Sequence, residues 1–241
     1  MAERPPKSPA WEAQFIGPPG RLRLAGVNAE QWQQLQDLQL PEGLRSGRAG
    51  PALRRGRDPS RTRLRLPAGT PPGDYEVLAR WADGRQQAVT VSVQARPRLR
   101  VTPSVLRLVG LPDASVSARL LLNNRGNVPI DISSALVTGL FDDDGIETAL
   151  ASVYRMESTD VSQIVGHAFG KLREAHGGLL KLRVRDGAGL LAPGEQRLID
   201  LETRLADKLQ PGHSYHGVLE IGSHGIAIEV LVTKPLTGVT T

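Results

Sequence analysis

The stretch Pro211-Gly212-His213-Ser214-Tyr215-His216-Gly217-Val218-Leu219-Glu220-Ile221-Gly222-Ser223-His224-Gly225-Ile226-Ala227-Ile228-Glu229-Val230-Leu231-Val232 decides the fold. A Pro-Gly turn leads into a tyrosine. Gly217, Leu219 and Ile221 then fall on one side of an extended chain, and Gly222–Gly225 supplies a turn. Ile226, Ile228, Val230 and Val232 alternate with Ala227, Glu229 and Leu231. A period of two is that of a strand with one buried face, so the segment reads as a β-hairpin. The same arrangement stands earlier in the chain. Pro72-Gly73 precedes Tyr75, Val77, Ala79 and Trp81; Ala82-Asp83-Gly84-Arg85 makes a tight turn; Val89, Val91 and Val93 return. Asp and Gly tolerate the positive φ that such a turn needs. An internal repeat of this kind points to two related domains.

Working outward from the second hairpin, Val105, Leu106 and Leu108 begin a strand after Pro103. Val116, Ala118, Leu120 and Leu122 form an alternating strand that ends in Asn123-Asn124-Arg125-Gly126-Asn127, and Ile130 and Ile132 resume it. Leu191-Ala192-Pro193-Gly194-Glu195 marks a turn before the strand Leu198–Leu201. Around the first hairpin, Trp11–Ala25 reads as two short strands about the Gly17-Pro18-Pro19-Gly20 turn, and Arg61–Leu66 as another strand. Asn28 has the character of a helix N-cap, with Gln31 at the capping-box position. Trp32, Leu35 and Leu38 follow at helical spacing, which predicts a surface helix over 29–38. Residues 41–60 carry Gly, Pro and Arg without periodicity and read as a long mobile loop.

The strand and turn around Leu120–Ile132, the turn Leu191–Glu195 and the hairpin Pro211–Val232 resemble bacterial immunoglobulin-like domains. The resemblance covers most of residues 100–235 and, more loosely, 60–95. It implies a mainly β protein of two immunoglobulin-like β-sandwiches with short helical insertions. The corresponding map is a disordered tail over 1–10, a first domain over 11–95 with a helix and a basic loop, and a second over 96–236 with a helical insertion at 141–180. A total of 241 residues suits two sandwiches of roughly 100 residues each. Tyr75 and Tyr215 fit structural tyrosines, whose rings are buried and whose hydroxyls bond nearby backbone.

The insertion departs from a plain sandwich. It opens with Phe141-Asp142-Asp143-Asp144-Gly145, an exposed acidic turn. Val161, Ile164, Val165, Ala168, Phe169 and Leu172 then lie on one helical stripe, with Asp160 placed to cap the start and Gly177-Gly178 to stop it. This stripe is expected to pack on the sandwich core, because a wet Phe169 and Ile164 would be costly. Leu180, Leu182 and Val184 alternate with Lys181, Arg183 and Arg185 as a further strand.

Composition limits the chemistry. With no cysteine, disulfides, thiolate nucleophiles and Cys-ligated zinc are ruled out. At 4% aromatic residues the cores must rest on Leu, Val, Ile and Ala. No stretch approaches the roughly 18 apolar residues of a membrane-spanning helix. Met1–Pro9 has no apolar h-region, so it does not read as a secretory signal. An extracytoplasmic location, periplasm or cell surface, is the favoured expectation, with the cytoplasm as the alternative. The charge is +5 overall but uneven: residues 1–99 hold 16 Lys or Arg against 9 Asp or Glu. Arg45, Arg48, Arg54, Arg55, Arg57 and Arg61 are therefore candidate contacts for a polyanion or a protein partner, set against the plainer reading of a solvated loop.

No Gly-x-Ser-x-Gly elbow, His-Glu-x-x-His or phosphate-cradling loop is present, so the sequence implies no catalytic residues and no cofactor. Asp142, Asp143 and Asp144 lack the alternating spacing of a Ca²⁺ loop. His213, His216 and His224 are of a type that binds metal, but strand geometry sets His213 and His224 at opposite ends, so no metal site is assigned. The function expected is that of a non-catalytic structural or interaction protein of a bacterial envelope or extracellular assembly. It would act through sandwich edges and loops on other protein subunits, self-assembly included. Its alternatives are a periplasmic-type assembly chaperone and an Arg-loop binder of polyanion or nucleic acid.

Overall fold

The computed structural model describes residues 13–26, 35–41, 44, 52–54, 62–158 and 160–234. The chain divides into two compact units. Unit 1 is 1–98 with the turns 124–129 and 192–194; unit 2 is 99–123, 130–191 and 195–241. Each has its own apolar core.

Unit 1 holds β1 (Gln14–Gly17), β2 (Leu22–Ala25), β3 (Leu35–Gln39), β4 (Ala52–Arg54), β5 (Arg63–Arg65), β6 (Gly73–Trp81) and β7 (Gln86–Val93). They form one sheet in the order β3-β6-β7-β1-β2-β5-β4, with β1 parallel to β7. Phe15, Leu22, Leu64, Val77, Ala79 and Val91 are buried from alternating positions, as a period of two requires.

Two expectations for this region need correction. The helix over 29–38 is not present at its C-terminal end, where Leu35–Gln39 is strand β3; residues 29–34 lie outside the described residues. The register against β6 shifts between Leu35 and Asp37. That bulge puts Leu35 and Leu38, three apart, on the same buried face, and so imitates helical spacing. The loop over 41–60 contains β4, which pairs residue for residue with β5. Three residues are too few to show a period.

Unit 2 holds β8 (Leu99–Thr102), β9 (Val105–Gly110), β10 (Ser115–Asn124), β11 (Ile130–Ile132), β12 (Ala135–Asp142), β13 (His176–Asp186), β14 (Gly189–Leu191), β15 (Gln196–Arg204), β16 (Ser214–Ile221) and β17 (His224–Val232). Eight strands run in the order β8-β10-β15-β13-β12-β16-β17-β9, and β11 pairs with β14 separately. The long β13 pairs with β12 over its first part and with β15 over its last. One continuous core takes inward side chains from all eight strands, so the sheet folds over on itself at β13. The two halves, β8-β10-β15-β13 and β12-β16-β17-β9, face each other across that core as the two sheets of a β-sandwich.

Between β12 and β13 the chain forms α1 (Gly145–Tyr154) and α2 (Val161–Glu174). The Asp160 carboxylate accepts from Ser162 N at 2.9 Å and caps α2. A Cβ on Gly145 would lie 2.2 Å from the Ala175 side chain, so only glycine lets α1 start against the end of α2. The expected core packing of the stripe does not occur. Val161, Val165, Phe169 and Leu172 face solvent, while Ile164, His167, Ala168 and Lys171 are half-buried. α2 packs on α1 by this other side, where His167 Nε2 lies 3.1 Å from Ser152 Oγ.

Candidate interaction surface

Inward residues of β12, β13 and β16 are Leu136, Leu140, Leu180, Leu182, Leu219 and Ile221. The pleat therefore turns Val137, Gly139, Phe141, Leu179 and Val218 outward. On most sandwiches such positions are polar. Here Leu179 is 72% exposed and Val218 62%, and Val137 and Phe141 are more than half exposed.

The registers place these side chains in rows. Leu179 lies opposite Gly139 across β13 and β12. Val218 lies opposite Ala227, and Ala227 opposite Val105, across β16, β17 and β9. Thr138 Oγ donates to Val218 O at 2.8 Å and ties β12 to β16 between them. In the neighbouring row the strip ends at Phe141 and turns polar beyond it: Phe141 is opposite His216, His216 opposite Glu229, and Glu229 opposite Arg107. Arg107 Nε meets Glu229 at 2.7 Å, and the Phe141 ring meets His176 edge-on at 5.1 Å. An apolar strip rimmed by paired charges is the anatomy of a protein-contact surface.

Polar groups elsewhere are engaged in holding the fold. His213 Nδ1 pairs with Asp142 at 2.8 Å and His216 Nε2 with Asp143 at 3.5 Å, while His224 sits at the far end of the β16–β17 hairpin. Among the described residues no group of three His, Cys, Asp or Glu could hold a metal ion. The outer face of β10, β13 and β15 carries the pairs Arg119–Asp200 and Arg185–Glu202, and the Arg185 guanidinium holds the Glu202 carboxyl below the usual carboxylate range. Tyr75 Oη donates to Pro71 O at 2.8 Å and Tyr215 Oη accepts from Gln210 N at 3.0 Å, as structural tyrosines do.

Of the candidate arginines, Arg45, Arg48, Arg55, Arg57 and Arg61 lie outside the described residues, and Arg54 ends β4. The outward apolar strip had a signal in the sequence: Leu179, Val137 and Val218 stand at the off-phase positions of their strands, where a polar residue was due. No helix among the described residues is long and apolar enough to cross a membrane.

No protein-family model and no curated protein matches the chain. Among solved structures, a protein of unknown function from Porphyromonas gingivalis is 13% identical, with 93% of this chain and 98% of that one covered at a TM-score of 0.30. An ASH/PapD-like domain of human CEP192 is 9% identical, covering 57% and 86% at a TM-score of 0.28. Domains 4 and 5 of the S-layer protein SbsC are 12% identical, covering 89% and 83%, also at 0.28. Likeness at this level assigns no function, and the reading of this chain rests on its own surfaces.

Proposed function

We propose that the chain is a non-catalytic interaction protein of a bacterial envelope or extracellular assembly, built from two immunoglobulin-like sandwiches over 11–95 and 96–236. The observation that carries this reading is the apolar strip of Leu179, Val137, Phe141 and Val218 on the outer face of unit 2. These side chains contribute nothing to a core that is already closed without them. Covering them with a partner removes apolar surface from water, at roughly 25 cal/mol per Å². The resemblance of residues 100–235 to bacterial immunoglobulin-like domains supports an extracytoplasmic compartment, and cell fractionation tests it directly.

The test is a photo-activated cross-linking residue placed singly at Leu179, Val218 and, as a control, Arg119. Expected are adducts to a protein from positions 179 and 218 in native cells and none from 119. Equal labelling at all three, or none anywhere, would overturn the reading.

A further inference from the structure

α2 carries a second apolar face, distinct from the sheet strip. Its inner side is Ile164, His167, Ala168 and Lys171. About 100° around the helix stand Val161, Val165, Phe169 and Leu172, with Val161 70% exposed and Phe169 69%. We propose that this stripe is the contact by which the chain pairs with a second copy of itself, α2 against α2 and antiparallel. The proposal deepens the interaction reading above but rests on a different surface, so either can fail alone.

The spacing argues for a two-fold axis. A symmetric antiparallel pair centred between Gly166 and His167 sets Val161 opposite Leu172 and Val165 opposite Phe169, each to within one residue, about 1.5 Å of rise. Such a face is complementary to itself, as an isologous dimer requires. The ends agree in charge. Arg155, Glu157 and Asp160 at the opening end sum to −1; Lys171, Arg173 and Glu174 at the closing end sum to +1. Antiparallel packing sets opposite ends, and opposite helix dipoles, side by side; a parallel pair would set like against like. An anionic lipid surface fits less well. Residues 145–175 hold 3 Lys or Arg against 4 Asp or Glu, so nothing draws the hairpin to negative headgroups. Four side chains a side fall well short of the ~800 Å² per partner of a stable complex, so the dimer is weak and reversible.

The chain has no cysteine, so introduced thiols report cleanly. Sedimentation of the whole protein should show a monomer–dimer equilibrium between about 1 and 100 μM. Phe169→Asp, at an exposed position, should keep the melting temperature and weaken dimerisation at least tenfold. Val161→Cys and Leu172→Cys should each stay uncrosslinked alone and form a mixed disulfide dimer when combined. A monomer throughout the concentration range overturns the proposal. So does a Val161→Cys disulfide homodimer, the product of a parallel pair.

Discussion

Tyr215 is buried with its hydroxyl accepting the Gln210 amide, and burial pushes its pKa above the ordinary value of 10.0, more than the amide bond lowers it. The folded chain therefore keeps the phenol proton at a pH where the unfolded chain loses it. Stability from this group is fully present below about pH 10 and is lost as pH rises above it. Tyr215→Phe should cost about 1 kcal/mol at neutral pH. It should also flatten the alkaline arm of a stability–pH profile measured by urea unfolding. Asn127, in unit 1, is buried more completely. Its Oδ1 accepts from Arg96 N at 2.6 Å, and its Nδ2 donates to Thr70 O and Gln94 O, both at 3.0 Å. Gly126 beside it lies so close that a Cβ would meet Arg96 O at 2.3 Å. Asn127→Ala leaves three backbone groups without that side chain and should lower unfolding free energy by about 2–4 kcal/mol. The role of Tyr215 was legible from the Pro-Gly turn just before it. That of Asn127 was not: an Asn in a turn normally faces water, and only the fold shows which backbone groups surround it.

Elements were legible where one face is buried and the period is unbroken. β6, β7, β16 and β17 all follow their alternation to the residue, and their turns carry Gly84 and Gly222 at positive φ. β3 is not legible as a strand because its bulge converts a period of two into a step of three. The second helix teaches a different lesson. Its cap at Asp160 follows from sequence, but its end does not: the helix closes at Ala175, and Gly177 and Gly178, expected to stop it, lie inside β13. Its orientation does not follow either, because an apolar stripe tells which residues share a face and not what that face meets. The six residues span about 140° of the helix, wide enough that Ile164 and Ala168 turn inward while Phe169 stays in water. Phe169→Ala is accordingly expected to change unfolding free energy by no more than about 0.5 kcal/mol. Leu182→Ala, at a fully buried position on β13, should cost about 2–5 kcal/mol. Equilibrium denaturation of both variants measures the contrast.

For the whole molecule, charge separates the two halves of the sequence more sharply than fold does. The excess of Lys and Arg lies within the first 99 residues. Binding of duplex DNA is expected to be electrostatic only, falling with a log–log salt slope of about −0.9 per phosphate neutralised and negligible at about 150 mM salt. Fluorescence anisotropy with unrelated duplexes checks both the salt slope and the indifference to sequence. Topology has its own consequence, and it concerns biosynthesis. β9 pairs in parallel with β17, and the Arg107–Glu229 contact between them joins residues 122 apart. β17 is the last strand of its unit to be translated, yet it stands between β16 and β9. While a ribosome is still extending the chain, β9 and β16 each present a bare edge, and no sandwich closes until residue 232 has left the exit tunnel. Nascent unit 2 is thus vulnerable to aggregation for nearly the whole of its synthesis, and the nine residues of β17 act as the closing piece rather than as an appendage.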